Sequence, residues 1–187
     1  MVKNYSRFLT GQMGESLVVA ELGRGNIVAT AFSGNLPVAD ILAMYDRNTI
    51  RLQVKAMRKE TATIGLGNLL SIEQCGPKQF VTKVDPLDDP DLIYVYVYLG
   101  DCLANVRFYI LTMRDLQDLT FKGYTEYLAL NGGERPRNKE SKHASIATKN
   151  LETFHDNWKL ITDRLGAPPM TRRHIPRNGG AAALVSS

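Results

Sequence analysis

Near the start of the chain, positions 11, 14, 15, 18, 19 and 22 recur on one helical face, reading Gly11, Gly14, Glu15, Val18, Val19 and Leu22. The spacing predicts a helix from about Thr10 to Leu22, stopped by Gly23 and Gly25. Asn26 to Phe32 is strand-like, and Ser33-Gly34-Asn35 turns the chain toward Pro37. Two apolar, β-branched blocks then flank the polar Asp46-Arg47-Asn48-Thr49, which predicts a hairpin organised over Asp40 to Lys55. The period of two puts Gln53 and Lys55 on one face and Leu52, Val54 and Ala56 on the other. With the turn centred near Arg47 and Asn48, opposed residues sum to roughly 93–95, which sets Asp40 across from the Gln53–Lys55 pair.

Residues 60–90 carry the weakest pattern: Ile64 to Cys75 predicts a short helix broken at Pro77, followed by a loop over 85–91. Leu92 to Leu99 and Val106 to Leu111 predict a second pair of strands. Thr112 followed by Asp115 predicts the start of an interrupted helical stretch reaching Leu130. Leu151, Phe154, Trp158, Ile161 and Leu165 form an apolar stripe that predicts one final helix, ended by Gly166 and Pro168-Pro169, with Trp158 in the core. The expected fold is one α/β domain, a mixed sheet with a helix on each face in an α-β-β-β-α-β-like order.

A chain of 187 residues with 44% hydrophobic content is ordinary globular material with room for a proper core. No apolar run approaches the roughly 18 residues of a membrane span, and no signal-peptide core is present, so a soluble, cytoplasmic protein with no membrane partner is expected. Cys75 and Cys102 lack metal-type spacing and read as reduced thiols. His143, His155 and His174 are scattered, without triad or zinc spacing. Four aspartates between Asp85 and Asp91 lack the glycine and closing glutamate of a calcium loop, and read as a solvated loop. With 23 Lys plus Arg against 19 Asp plus Glu, the mild basic excess permits an anionic partner.

Basic residues gather in three places. Arg58 and Lys59 follow the hairpin, either to meet phosphate or as a plain charged strand end. Glu134 to Lys149 holds Arg135, Arg137, Lys139 and Lys142 and reads as a mobile arm suited to nucleic-acid phosphates. Residues 167–187, with Arg172, Arg173 and Arg177, read as a flexible basic C-terminal tail beyond a domain over 1–166. Tyr94, Tyr96 and Tyr98 share one strand face, suited to stacking on bases or, by default, to packing beneath a helix.

The hairpin gathers a carboxylate, an amide and an ammonium among apolar neighbours, which is costly unless something binds there. Taken alone, that pattern also describes a solvated hairpin face. Glu15 lies on the packing face of the first helix, either snorkelling outward or aimed at the hairpin. Together, Gly11-x-x-Gly14-Glu15, Pro37-Val38-Ala39-Asp40 and Gln53-Val54-Lys55 resemble the PD-(D/E)xK nuclease superfamily in its Q-x-K form, found among some resolvases, restriction-type enzymes and intron-encoded endonucleases. Two departures stand out: Pro37 is not adjacent to Asp40, and Gln53 replaces the usual acid.

The resemblance implies a restriction-endonuclease-like mixed β-sheet flanked by helices. It implies Mg²⁺-dependent endonuclease activity on DNA, with Glu15, Asp40, Gln53 and Lys55 as the catalytic set and a homodimer reaching two strands. Glu15, Asp40, the Gln53 amide oxygen and the Val54 carbonyl would hold the metal, and Lys55 would position the attacking water. A catalytically inactive nuclease-fold DNA-binding or assembly module is the alternative. The intact Glu15, Asp40 and Lys55 weigh against it, because a decayed site should lose its costly charges first.

Overall fold

In the computed structural model, which describes residues 5–32 and 39–170, helix α1 spans Ser6–Arg24 and leads into a five-stranded mixed sheet. Strands β1 (Val28–Ala31), β2 (Ile41–Tyr45), β3 (Asn48–Met57), β7 (Ile93–Tyr98) and β8 (Arg107–Thr112) lie side by side in that order. All neighbours are antiparallel except β3 and β7. That parallel pair needs a crossover, and residues 58–92 make it with strands in place of a helix, strands that belong to two small ribbons. One is the hairpin of β5 (Leu70–Cys75) and β6 (Lys78–Lys83); the other pairs β4 (Thr61–Gly65) with β9 (His143–Ala147). Helices α2 (Met113–Leu130), α3 (Thr148–Leu151) and α4 (Lys159–Leu165) complete the described chain.

The predicted β2–β3 hairpin is present, with its turn at Asp46-Arg47, one residue earlier than expected. Asp46 adopts φ 51, and opposed residues sum to 93, as in Ile41 against Leu52. Strict alternation in β7 sends Ile93, Val95 and Val97 to one core and Tyr96 to the other. On the first face, Val18 and Leu22 of α1 and Ile161 and Leu165 of α4 cover Ile41, Leu52, Val54 and Val95. Trp158 is buried there, 5.1 Å from the Phe108 ring centroid. On the second, Leu116, Tyr124 and Leu128 of α2 close over Tyr96, Tyr109 and Leu111. The tyrosine face thus lies largely beneath a helix. Thr112 and Asp115 form a reciprocal capping box that starts α2, which runs unbroken through Gly123.

Four further expectations are corrected. Ile64 to Cys75 is not helical: Leu70 and Ile72 alternate with exposed Ser71 and Glu73, and Gly76-Pro77 is a two-residue turn joining β5 to β6. The final helix is broken. After α3, a single 3₁₀ turn (Glu152–Phe154) leads to Asp156 at φ 49, whose N–H donates to the Phe108 carbonyl at the sheet edge. That edge bond outcompetes helix propagation, and α4 starts afresh with Gly166 as its left-handed cap. Residues 134–149 are no mobile arm, since they contain β9 and part of α3. Finally, both β7 and β8 precede α2, so the element order departs from α-β-β-β-α-β. Residues 171–187 of the proposed tail lie outside the described residues. No helix among the described residues is long and apolar enough to cross a membrane.

Candidate active site at the end of β2

Strand β2 stops at Ile41, opposite Leu52, while β3 continues to Met57. Asp40 sits at that fork. Its N–H donates to the Leu52 carbonyl (2.9 Å), the last rung of the β2–β3 ladder. Its carboxylate then takes over: Oδ2 accepts the Val54 N–H at 2.7 Å and the Gln53 side-chain Nε2–H at 2.5 Å. A strand residue aims its N–H and C=O at the same edge, so the Val54 carbonyl also points to the side vacated by β2. Because Nε2 is the donor, the Gln53 amide oxygen is left for another partner. Oδ1 of Asp40 likewise carries no hydrogen bond among the described residues.

Helix α1 reaches this edge through Gly14. A Cβ on Gly14 would come within 2.5 Å of the Ala56 Cβ and 3.5 Å of Val54 Cγ1, so only glycine allows the helix to sit so close to β3. Gly11 has no such role, with nothing within 4 Å of a Cβ placed there. The close approach sets Glu15, half-buried, beside the fork. Burial raises its pKa above the ordinary glutamate value, the negative charge of Asp40 raises it further, and the Lys55 ammonium partly offsets both. Glu15 is therefore in electrostatic reach of both groups. Neither Glu15 nor Lys55 has a hydrogen bond or ion pair among the described residues. Lys55 is exposed at the mouth of the site.

One neighbour was not legible beforehand. Tyr94 lies beside Gln53 in the parallel β3–β7 register, and its phenol pKa is raised by burial and by the charges of Asp40 and Asp89. The alternation of β7 gave its face, but no local signal shows that β7 lies next to β3. Pro37 and Val38 of the sequence motif lie outside the described residues.

The six basic residues divide. Arg58 is turned back onto α1, its Nε donating to Thr10 Oγ1 (2.8 Å) and its Nη2 lying 3.8 Å from Met13 Sδ. Lys59 is exposed just past β3. Arg135 is committed inward, with Nε donating to the Asn138 carbonyl (3.0 Å) and Nη1 to the His143 carbonyl (2.7 Å) and the Tyr124 hydroxyl (3.0 Å). Lys139 pairs with Glu134 at 3.0 Å, while Arg137 and Lys142 are exposed. The aspartate loop is anchored by Arg51 to Asp89 and Arg164 to Asp91, each at 2.8 Å, which ties it to β3 and α4.

Among the described residues no three His, Cys, Asp or Glu side chains gather in one place. The donors at the fork are instead two carboxylates, one amide oxygen and one strand carbonyl. All are hard oxygens, which fits a small divalent cation that keeps several of its waters. No protein-family model matches the chain, and no curated protein does. Among solved structures, the chain is similar to a bacterial homing endonuclease, I-Ssp6803I, at 14% identity and a TM-score of 0.46, over 84% of this chain and 94% of that one.

Proposed function

We propose that the protein is a Mg²⁺-dependent DNA endonuclease whose site is Glu15, Asp40, Gln53, Val54 and Lys55. The observation that carries this reading is the fork itself. Two carboxylates, an uncommitted amide oxygen and a lysine converge where β2 ends, and the hydrogen bonds to Asp40 Oδ2 leave Oδ1 free. Glu15 is held there against its own electrostatics, a cost that a purely structural glutamate would avoid by turning outward. Glu15, Asp40, Gln53 through its amide oxygen and Val54 through its carbonyl would hold the cation. A bound Mg²⁺ would supply Lewis acidity at the scissile phosphate and acidify the attacking water.

The chain's own groups do the rest. The Val54 N–H and the Gln53 amide orient Asp40 before substrate arrives. Lys55 donates to a phosphate oxygen or to the attacking water and offsets negative charge as it accumulates. The resemblance of the motif supplies DNA as the substrate, and a homodimer is the assembly in which two such sites reach two strands.

A binding module without catalysis has one observation in its favour. The Gln53–Asp40 hydrogen bond already satisfies both side chains in part, as a structural pair would. Incubating the pure protein with plasmid, branched and single-stranded DNA, in Mg²⁺ and in EDTA, separates the two. Cleavage that needs Mg²⁺ is expected. Asp40→Asn keeps the shape but removes an anionic ligand, and should lose more than the roughly 10–100-fold that loss of an outer partner costs. Folded Asp40→Asn protein cutting at the wild-type rate would sink the site assignment.

A further inference from the structure

A cavity of about 560 Å³ opens between one side of α2 and the β4–β9 ribbon, away from the fork residues. That volume suits a small organic ligand, for which pockets run about 300–1,000 Å³. Its aromatic wall is ordered: the Tyr124 and Tyr127 rings stack at 6.0 Å and 24°, and the Arg135 guanidinium lies 5.8 and 5.9 Å from their centroids. Tyr124 is buried, while Tyr127 is 37% exposed and offers its ring to a visitor. Gly123 on the same wall has nothing within 4 Å of a Cβ placed there, so the helix surface is open at that point.

The polar groups narrow the ligand class. Arg135 is the one Lys or Arg among the lining residues, and its Nε and Nη1 donors are already spent. Neither two-pronged edge of the guanidinium is free to clasp a phosphate, so a ligand would meet its plane. Glu126 also lines the cavity, where its carboxylate repels an anion but accepts from an amino group. Thr120, 4% exposed, also lines the cavity, but its hydroxyl is shut away from the open space, without a hydrogen-bond partner among the described residues. The cavity therefore favours a flat, uncharged ring with a polar edge.

We propose that this cavity binds a nucleobase, stacked on Tyr127 with its edge toward the polar wall, as a free nucleoside or as one base of a single strand. Two probes distinguish the sources: free deoxynucleosides at millimolar concentration, followed by saturation-transfer NMR, and a single-stranded oligonucleotide carrying one 2-aminopurine, whose fluorescence is quenched on stacking. Tyr127→Ala should weaken binding by roughly 5- to 150-fold, the range that loss of one base–aromatic stack covers, and Tyr127→Phe should restore it.

Gly123→Leu should block the cavity. It replaces a poor helix former by a good one, so folding should persist, as circular dichroism and a melt would verify. Asp40→Asn should bind the free deoxynucleosides as the wild type does, which keeps this site separable from the nuclease reading. Binding of the nucleosides identifies a nucleoside pocket, and binding of the oligonucleotide alone identifies a strand contact. Failure of both probes to bind, or binding unaltered by Gly123→Leu, would overturn the proposal.

Discussion

In the proposed site Gln53 is the residue on which most turns, because its amide would perform two tasks with opposite ends. The NH₂ donates to Asp40, and the oxygen would be left for a cation. Gln53→Glu removes the donor and faces Asp40 with a like charge, so without metal the variant should melt lower than wild type. With Mg²⁺ it gains a third anionic ligand, and its melt should rise more on adding the metal than the wild type's does. A melt shift indifferent to Mg²⁺ would leave Gln53 as a packing residue. Glu15 supplies a pH test. Its folded pKa is raised, so as pH climbs from the ordinary value of 4.5 toward the raised one, the unfolded chain gives up its proton first and stability falls. Below that window both states are protonated and nothing is lost. Glu15→Gln should therefore melt higher than wild type at neutral pH, with the gain vanishing in acid. Divalent-metal binding to the wild type, measured by calorimetry, should strengthen with pH over the same window.

At the scale of elements, α1 makes two opposite forecasts from two glycines four residues or fewer apart. Gly14→Ala drives a methyl into Ala56 of β3, and overpacking of that kind costs about 1–3 kcal/mol. It also pushes Glu15 off the fork, and a displacement near 1 Å at a catalytic group costs about 100-fold in rate. Gly11→Ala meets nothing within 4 Å and should stabilise the helix by about 0.5–1 kcal/mol, leaving cleavage unchanged. Urea melts and cleavage rates on the two variants measure both effects. Opposite behaviour is the signature of a close helix–strand approach, whereas two stabilised variants would remove it.

Across the whole molecule, the basic residues of 134–149 do two different jobs because the segment is folded. Arg135 staples the 134–143 stretch to Tyr124, so Arg135→Gln should lower the melting temperature. Arg137 and Lys142 are exposed and form no ion pair among the described residues, and are the candidates for phosphate contact. If they lie on DNA, the double variant Arg137→Gln, Lys142→Gln should flatten the log–log salt dependence of binding by about 0.9 per lost contact. Filter binding at several salt concentrations reads that slope, and an unchanged slope assigns both residues to solvent.

What the sequence determined by itself lies in short-range pattern. The period of 3.6 in α1, the period of two in β2, β3, β7 and β8, and the Thr112–Asp115 capping box are each written within a few residues, where backbone geometry dictates side-chain direction. Those local rules also brought Asp40 across from the Gln53–Lys55 pair, because a hairpin's register follows from its turn, and the turn one residue earlier than expected set it against Gln53. The tertiary structure decided whatever depends on contacts between distant segments. The stripe through Leu151, Trp158 and Leu165 obeys helical spacing, yet the open edge of β8 at Phe108 captured Asp156 and broke the helix. Gly11 and Gly14 look alike in sequence, and only Ala56, forty-two residues after Gly14, makes one of them indispensable. Tyr94 joined the site because β7 lies parallel to β3, and a parallel pairing carries no turn to announce it.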